Sequence, residues 1–117
     1  MTPSDRAPHT WPIKGMTVMI RHTVTFKLKH APGSPEETDF LNAGRALAEI
    51  PVVRNFECLR QISNKNPHDF GFSMEFESVE DFGVYNAHPD HVAFVQSRWI
   101  SEVTDFRETD YVPYDCG

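Results

Sequence analysis

In Phe70-Gly71-Phe72-Ser73-Met74-Glu75-Phe76-Glu77, the apolar residues Phe70, Phe72, Met74 and Phe76 alternate with small or acidic ones. A period of two places all four apolar side chains on one face of a strand and leaves a polar face opposite. No other segment alternates as cleanly. A strand with one apolar and one polar face belongs to an antiparallel sheet covered on one side, so the flanking segments should supply the cover.

Upstream, Ser63-Asn64-Lys65-Asn66-Pro67-His68-Asp69 is rich in turn residues and connects this strand to an earlier one expected from about Asn55 to Ile62. Before that, Ser34-Pro35-Glu36-Glu37 carries an N-cap, a proline suited to the first helical position and a capping-box glutamate. Phe40, Leu41, Leu47 and Ala48 give this helix an apolar stripe, and Pro51 ends it by barring the α conformation at Ile50. From Ile20 to Lys29 a further strand alternates. Ile20, His22, Val24, Phe26 and Leu28 share one face, while Arg21, Thr23, Thr25, Lys27 and Lys29 share the other.

Downstream, Ser78 followed by Asp81 caps a helix carrying Val79, Phe82 and Tyr85. A second helical piece starts after His88-Pro89, with Val92, Val95 and Trp99 predicted on one stripe. A last strand, from about Thr104 to Val112, places Phe106, Glu108, Asp110 and Val112 together before Pro113 stops it. The order β-α-β-β-α-α-β predicts an α+β fold of the ferredoxin-like βαββαβ type: a four-stranded antiparallel sheet with its helices on one face. The domain is expected over residues 18–115, with residues 1–17 an N-terminal tail.

Composition narrows the function. The chain of 117 residues supports one core, and no apolar run reaches the roughly 18 residues of a membrane span. A net charge of −6 with scattered basic residues argues against nucleic-acid binding, which needs clustered Lys and Arg. Two cysteines, Cys58 and Cys116, make no disulfide framework, and the opening segment lacks the apolar run of a secretory leader. A cytoplasmic location is expected. There is no Gly-rich phosphate loop and no Ser-centred nucleophile elbow, so no cofactor is expected. Pro89 and a helix start interrupt His88, Asp90 and His91, and no third His or Cys sits at useful spacing, so no metal site is expected either.

Three segments carry a family resemblance: Met19-Ile20-Arg21-His22-Thr23-Val24-Thr25-Phe26-Lys27-Leu28-Lys29, Phe70-Gly71-Phe72-Ser73-Met74-Glu75-Phe76, and Tyr85-Asn86-Ala87-His88-Pro89-Asp90-His91-Val92. In this order they resemble the stress-responsive dimeric A/B barrel (Dabb) family, over about residues 19–113. The resemblance implies a homodimer, a dimeric α+β barrel in which a second copy covers the sheet face bearing Thr23, Thr25, Lys27, Ser73 and Glu75. The family includes a plant polyketide cyclase that closes a poly-β-keto chain by aldol condensation without a cofactor. Its catalytic Tyr and His match Tyr85 and His91, with further matches at His22, His88 and Asp110-Tyr111. A pocket histidine of the cyclase falls at Phe70 and a pocket tyrosine at Ala43, so the resemblance implies a different cavity and a different substrate.

The residues themselves permit two readings. In the first, His91 at a helix start is disfavoured as imidazolium and stays neutral, Tyr85 lies one to two turns earlier, and His22 orients or polarises a substrate. The pair would then run acid–base chemistry on an apolar or β-keto small molecule: aldol cyclisation, isomerisation or decarboxylation. Phe26, Phe70, Phe72, Val92 and Trp99, with His88 and Asp110, would line or support that pocket. In the second, the dimer is a non-catalytic stress-associated or ligand-binding protein. His22 is then a structural histidine satisfied by a neighbour such as Asp110, and His88 caps a helix.

Overall fold

The computed structural model describes residues 18–114; the expected tail, residues 1–17, and Cys116 lie outside them. Along the chain come β1 (Ile20–Leu28), α1 (Pro35–Arg45), a 3₁₀ turn (Ala46–Glu49), β2 (Arg54–Arg60), β3 (Phe70–Phe76), α2 (Val79–Ala87) and α3 (Pro89–Phe94). A π-helical turn (Val95–Trp99), the short α4 (Ile100–Glu102) and β4 (Val103–Tyr111) complete it. The sheet runs β2-β3-β1-β4 with every neighbouring pair antiparallel, the ferredoxin-like plan expected from the sequence.

Local chemistry sets the boundaries. The Ser34 hydroxyl accepts the Glu37 N–H at 3.2 Å, and the Glu37 carboxylate turns back to accept from Gly33 N–H at 2.9 Å. Gly33 takes a positive φ of 77° in the turn ahead of that cap, a conformation costly for other residues. Ser78 likewise accepts the Asp81 N–H at 3.1 Å to start α2. Strand β2 ends at Arg60, two residues before its expected limit. Just past it, the Gln61 backbone N–H still donates to the Asp69 carbonyl while its side-chain amide donates to the carbonyls of Ser63, Asn66 and His68, tying up the loop.

The helix-side face of the sheet holds the core. Phe26, Phe40, Phe76, Ile50 and Met74 are fully buried, and the rings of Phe26, Phe40, Phe72 and Trp99 interlock at centroid separations of 4.8 to 6.1 Å. Helix α1 approaches so closely that a Cβ at Gly44 would stand 2.3 Å from the Phe72 ring, which is why glycine occupies that position. The opposite face is polar yet partly self-covered. Glu75, 9% exposed, accepts from Asn55 at 2.7 Å and pairs with Arg21 at 2.6 Å, while Ser73 is buried beside it.

Candidate active site

Tyr85 projects from α2 and is buried at 2% exposure, packed on Phe76. Its ring lies 4.3 Å, centroid to centroid, from that of His91 on α3 and 6.1 Å from that of His22 on β1. Behind His22, the β1–β4 register sets Asp110 directly opposite, and Nδ1–H donates to the Asp110 carboxylate at 2.5 Å. The residues expected to act together, His91, Tyr85, His22 and Asp110, therefore form one row from α3 across to the sheet edge.

Helix geometry explains why His91 faces inward. A regular α-helix at about 100° per residue would bring Val92 within about 20° of Trp99 and leave His91 about 80° away. The π-helical turn at Val95–Trp99 winds more slowly, reversing that order. His91 thus shares the inner stripe with Phe94, Val95 and Trp99, and Val92, expected in the pocket, is turned outward at 38% exposure. His88 does not reach the cavity either. It is the N-cap of α3, its Nδ1 accepting the Asp90 N–H at 3.1 Å.

Together these elements enclose a half-open cavity of about 480 Å³. Phe72, Tyr85, Phe94, Trp99 and Phe106 supply aromatic walls; Leu47, Val95, Ile100 and Val103 supply aliphatic ones. His91 and Glu108 add polar groups. Of the aromatic residues expected in the pocket, Phe72 and Trp99 line it, whereas Phe26 and Phe70 lie in the packed core. Phe70 carries the Arg60 guanidinium over its ring at 5.1 Å, on the far side of the sheet from β4. Glu108 and Phe106 were legible as sharing the Asp110 face of β4, but strand alternation alone gives no reason to assign them to a cavity.

Proton affinities within the site diverge. Burial, reinforced by the Glu108 carboxylate, pushes the Tyr85 phenol well above its ordinary value, so it remains a hydrogen-bond donor. Burial lowers His91 below 6.5, outweighing the hydrogen bond to Asn86, which raises it, so the imidazole is neutral at pH 7. Its Nδ1–H donates to the Asn86 carbonyl at 3.2 Å. In that tautomer Nε2 carries the lone pair. A protonated phenol beside a neutral imidazole is an acid and a base in contact.

Residues 20–113 match the Stress responsive A/B Barrel Domain family, Dabb, and the chain belongs to it. It is 31% identical over 96 residues to a stress-response A/B barrel domain-containing protein of Arabidopsis thaliana, covering 80% of this chain and 36% of that protein's length. The crystal structure of a dabb family protein with a ferredoxin-like fold from Mesorhizobium loti is 56% identical, with a TM-score of 0.82 over 84% of this chain and 99% of that one. A dimeric ferredoxin-like protein from Thermobifida fusca shares the fold at 22% identity, with a TM-score of 0.68 over 84% and 93% of the two chains. So does the hydroxynitrile lyase of Passiflora edulis, at 16% identity and a TM-score of 0.72 over 87% and 99%.

Proposed function

We propose that this chain works as a homodimer whose helix-side cavity performs cofactor-free acid–base chemistry on an enolisable small molecule. The observation that carries the reading is the 4.3 Å ring contact between His91 and Tyr85 in an aromatic cavity wall. Nε2 of His91 removes a proton α to a carbonyl, and the Tyr85 hydroxyl donates to the enolate oxygen as negative charge develops there. His22, oriented by Asp110, holds the Tyr85 side of the site. Aldol cyclisation, isomerisation and decarboxylation share this first step. The hydroxynitrile lyase likeness supports the view that this fold accommodates lyase chemistry.

The dimer is supported by the family to which the chain belongs and by the dimeric Thermobifida fusca protein of the same fold. In the proposed assembly a second copy covers the face bearing Thr23, Thr25, Lys27, Ser73 and Glu75. Sedimentation should give twice the 13.4 kDa chain mass; a monomer at micromolar concentration would remove this part of the reading.

The direct assay is α-hydrogen exchange of methyl ketones and β-keto esters into D2O, followed by NMR. Wild type should exceed the buffer rate and His91→Ala should return to it, with its melting temperature nearly unchanged. Equal exchange by the variant would sink the catalytic reading. A second reading, a non-catalytic ligand-binding dimer, draws on the hydrogen bonds of His88 and His91 to the α2–α3 joint. It expects no exchange from wild type and a melting temperature several degrees lower for His91→Ala.

A further inference from the structure

Glu108 has no place in the chemistry above, yet among the described residues it carries the one carboxylate in the cavity wall, and no described Lys or Arg lines that wall. The basic side chains of the flanking segments are committed elsewhere. Arg107 pairs with Thr25 across the β4–β1 register and so lies on the opposite sheet face, while Arg98 binds Glu102 at 2.5 Å and Asp39 at 2.8 Å. Glu108 makes no hydrogen bond or ion pair with any described residue, and its field reaches both Tyr85 and His91.

We propose that Glu108 sets the ligand class of this cavity: neutral, ring-bearing carbonyl compounds are admitted and carboxylates are turned away. The inference rests on the small-molecule site proposed above and names what that site selects. Sites that hold carboxylates present Arg, Lys or clustered backbone N–H groups. This wall offers the Tyr85 hydroxyl and the Trp99 indole N–H as neutral donors, enough for one carbonyl oxygen, and two acceptors, His91 Nε2 and Glu108, but no cationic group to pair with a carboxylate. A ligand carboxylate would place a second negative charge in the same half-open mouth. At such a partly solvated site, repulsion between two unit charges across a small ligand corresponds to about tenfold in affinity. The aromatic walls take the ring of either ligand equally well, so the preference falls to the charge.

The test uses two probes of nearly the same shape, 4-phenylbutan-2-one and 3-phenylpropanoate, which differ by a methyl group in place of a carboxylate oxygen. Binding to the full-length protein at pH 7.5 is read from the Trp99 indole N–H shift. Wild type should bind the ketone about tenfold more tightly than the carboxylate. Glu108→Gln, nearly isosteric, should narrow the ratio to within about threefold by tightening carboxylate binding alone, and Glu108→Asp should retain the preference. Equal affinities in wild type, an unchanged ratio in Glu108→Gln, or a ketone that leaves Trp99 unmoved would each overturn the proposal. These are binding ratios. A His91→Ala variant that keeps full exchange activity would defeat the catalytic reading and leave this selectivity standing, whereas an unchanged Glu108→Gln ratio would do the reverse.

Discussion

Two histidine–carboxylate pairs stand on opposite faces of one sheet, His22–Asp110 on the helix side and His68–Asp105 on the other. Both imidazoles are 6% exposed, and both bond a β4 aspartate. The second ring nitrogen separates them. Nε2–H of His68 donates to Asp105 at 2.7 Å, and its Nδ1 accepts the Thr25 hydroxyl at 2.8 Å, so nothing is left over for a ligand. His22 and His91 each engage only Nδ1, but of the two only His91 lines the cavity, His22 standing behind Tyr85. A saturated histidine fixes structure; one with a bare nitrogen beside a cavity retains chemistry to offer.

The sharpest way to break this contrast is to remove the bare-nitrogen histidine. His91→Ala should lower α-proton exchange by about 10²–10⁴-fold, the usual contribution of a general base, while thermal denaturation stays within about 2 °C of wild type. Next comes Tyr85→Phe, which deletes a donor that no described residue accepts from. Exchange should fall by about 10²-fold with little change in stability, since the buried ring is kept. A Tyr85→Phe enzyme with full activity would reduce the row to His91 alone.

His68→Ala tests the other half. It removes a buried ring and takes from the half-buried Thr25 hydroxyl its partner, while the exposed Asp105 carboxylate returns to water, and it should cost about 1–3 kcal/mol, or roughly 4–8 °C per kcal/mol for a chain of this size. Exchange per folded molecule should not change. Loss of exchange in a variant that still melts cooperatively would mean that the two faces are coupled and that counting free nitrogens misleads.

The same contrast marks what the sequence could disclose. Alternation at Phe70–Phe76 and Ile20–Leu28, with caps at Ser34 and Ser78, made the architecture readable because each rule acts over a few residues. His22, Tyr85 and His91 were readable as candidates for the same reason: strand parity and helix starts are local. His68 sits in the turn-rich segment before β3, where no periodicity tells inside from outside, and its burial depends on Thr25 and Asp105, 43 and 37 residues away. Val92 failed for a different cause. A stripe counted at 3.6 residues per turn goes out of phase when one turn is π-helical, and nothing in Val95–Trp99 announces that turn.

The smallest expected effect is a pH dependence set by His91. His91 has a folded-state proton affinity below the ordinary 6.5, chiefly from burial. Between that lowered value and 6.5 the unfolded chain binds more protons than the folded one, so stability rises with pH across that window and is lost as pH falls from 6.5 through the lowered value. Glu102 acts in a separate window. Its hydrogen bond from Arg98, together with one from His30, holds the carboxyl below 4.5, so its contribution is full above 4.5 and disappears only as pH falls through the lower folded value. Melting curves of wild type and His91→Gln at steps from pH 7.5 to 3.5 should therefore differ in slope as pH falls below 6.5, whereas the Glu102 step below 4.5 should appear in both. The acid limb of exchange activity should also lie below 6.5, since the same protonation removes the base. Parallel curves throughout would mean that His91 titrates as a solvent histidine, and the bare nitrogen would then face water instead of the cavity.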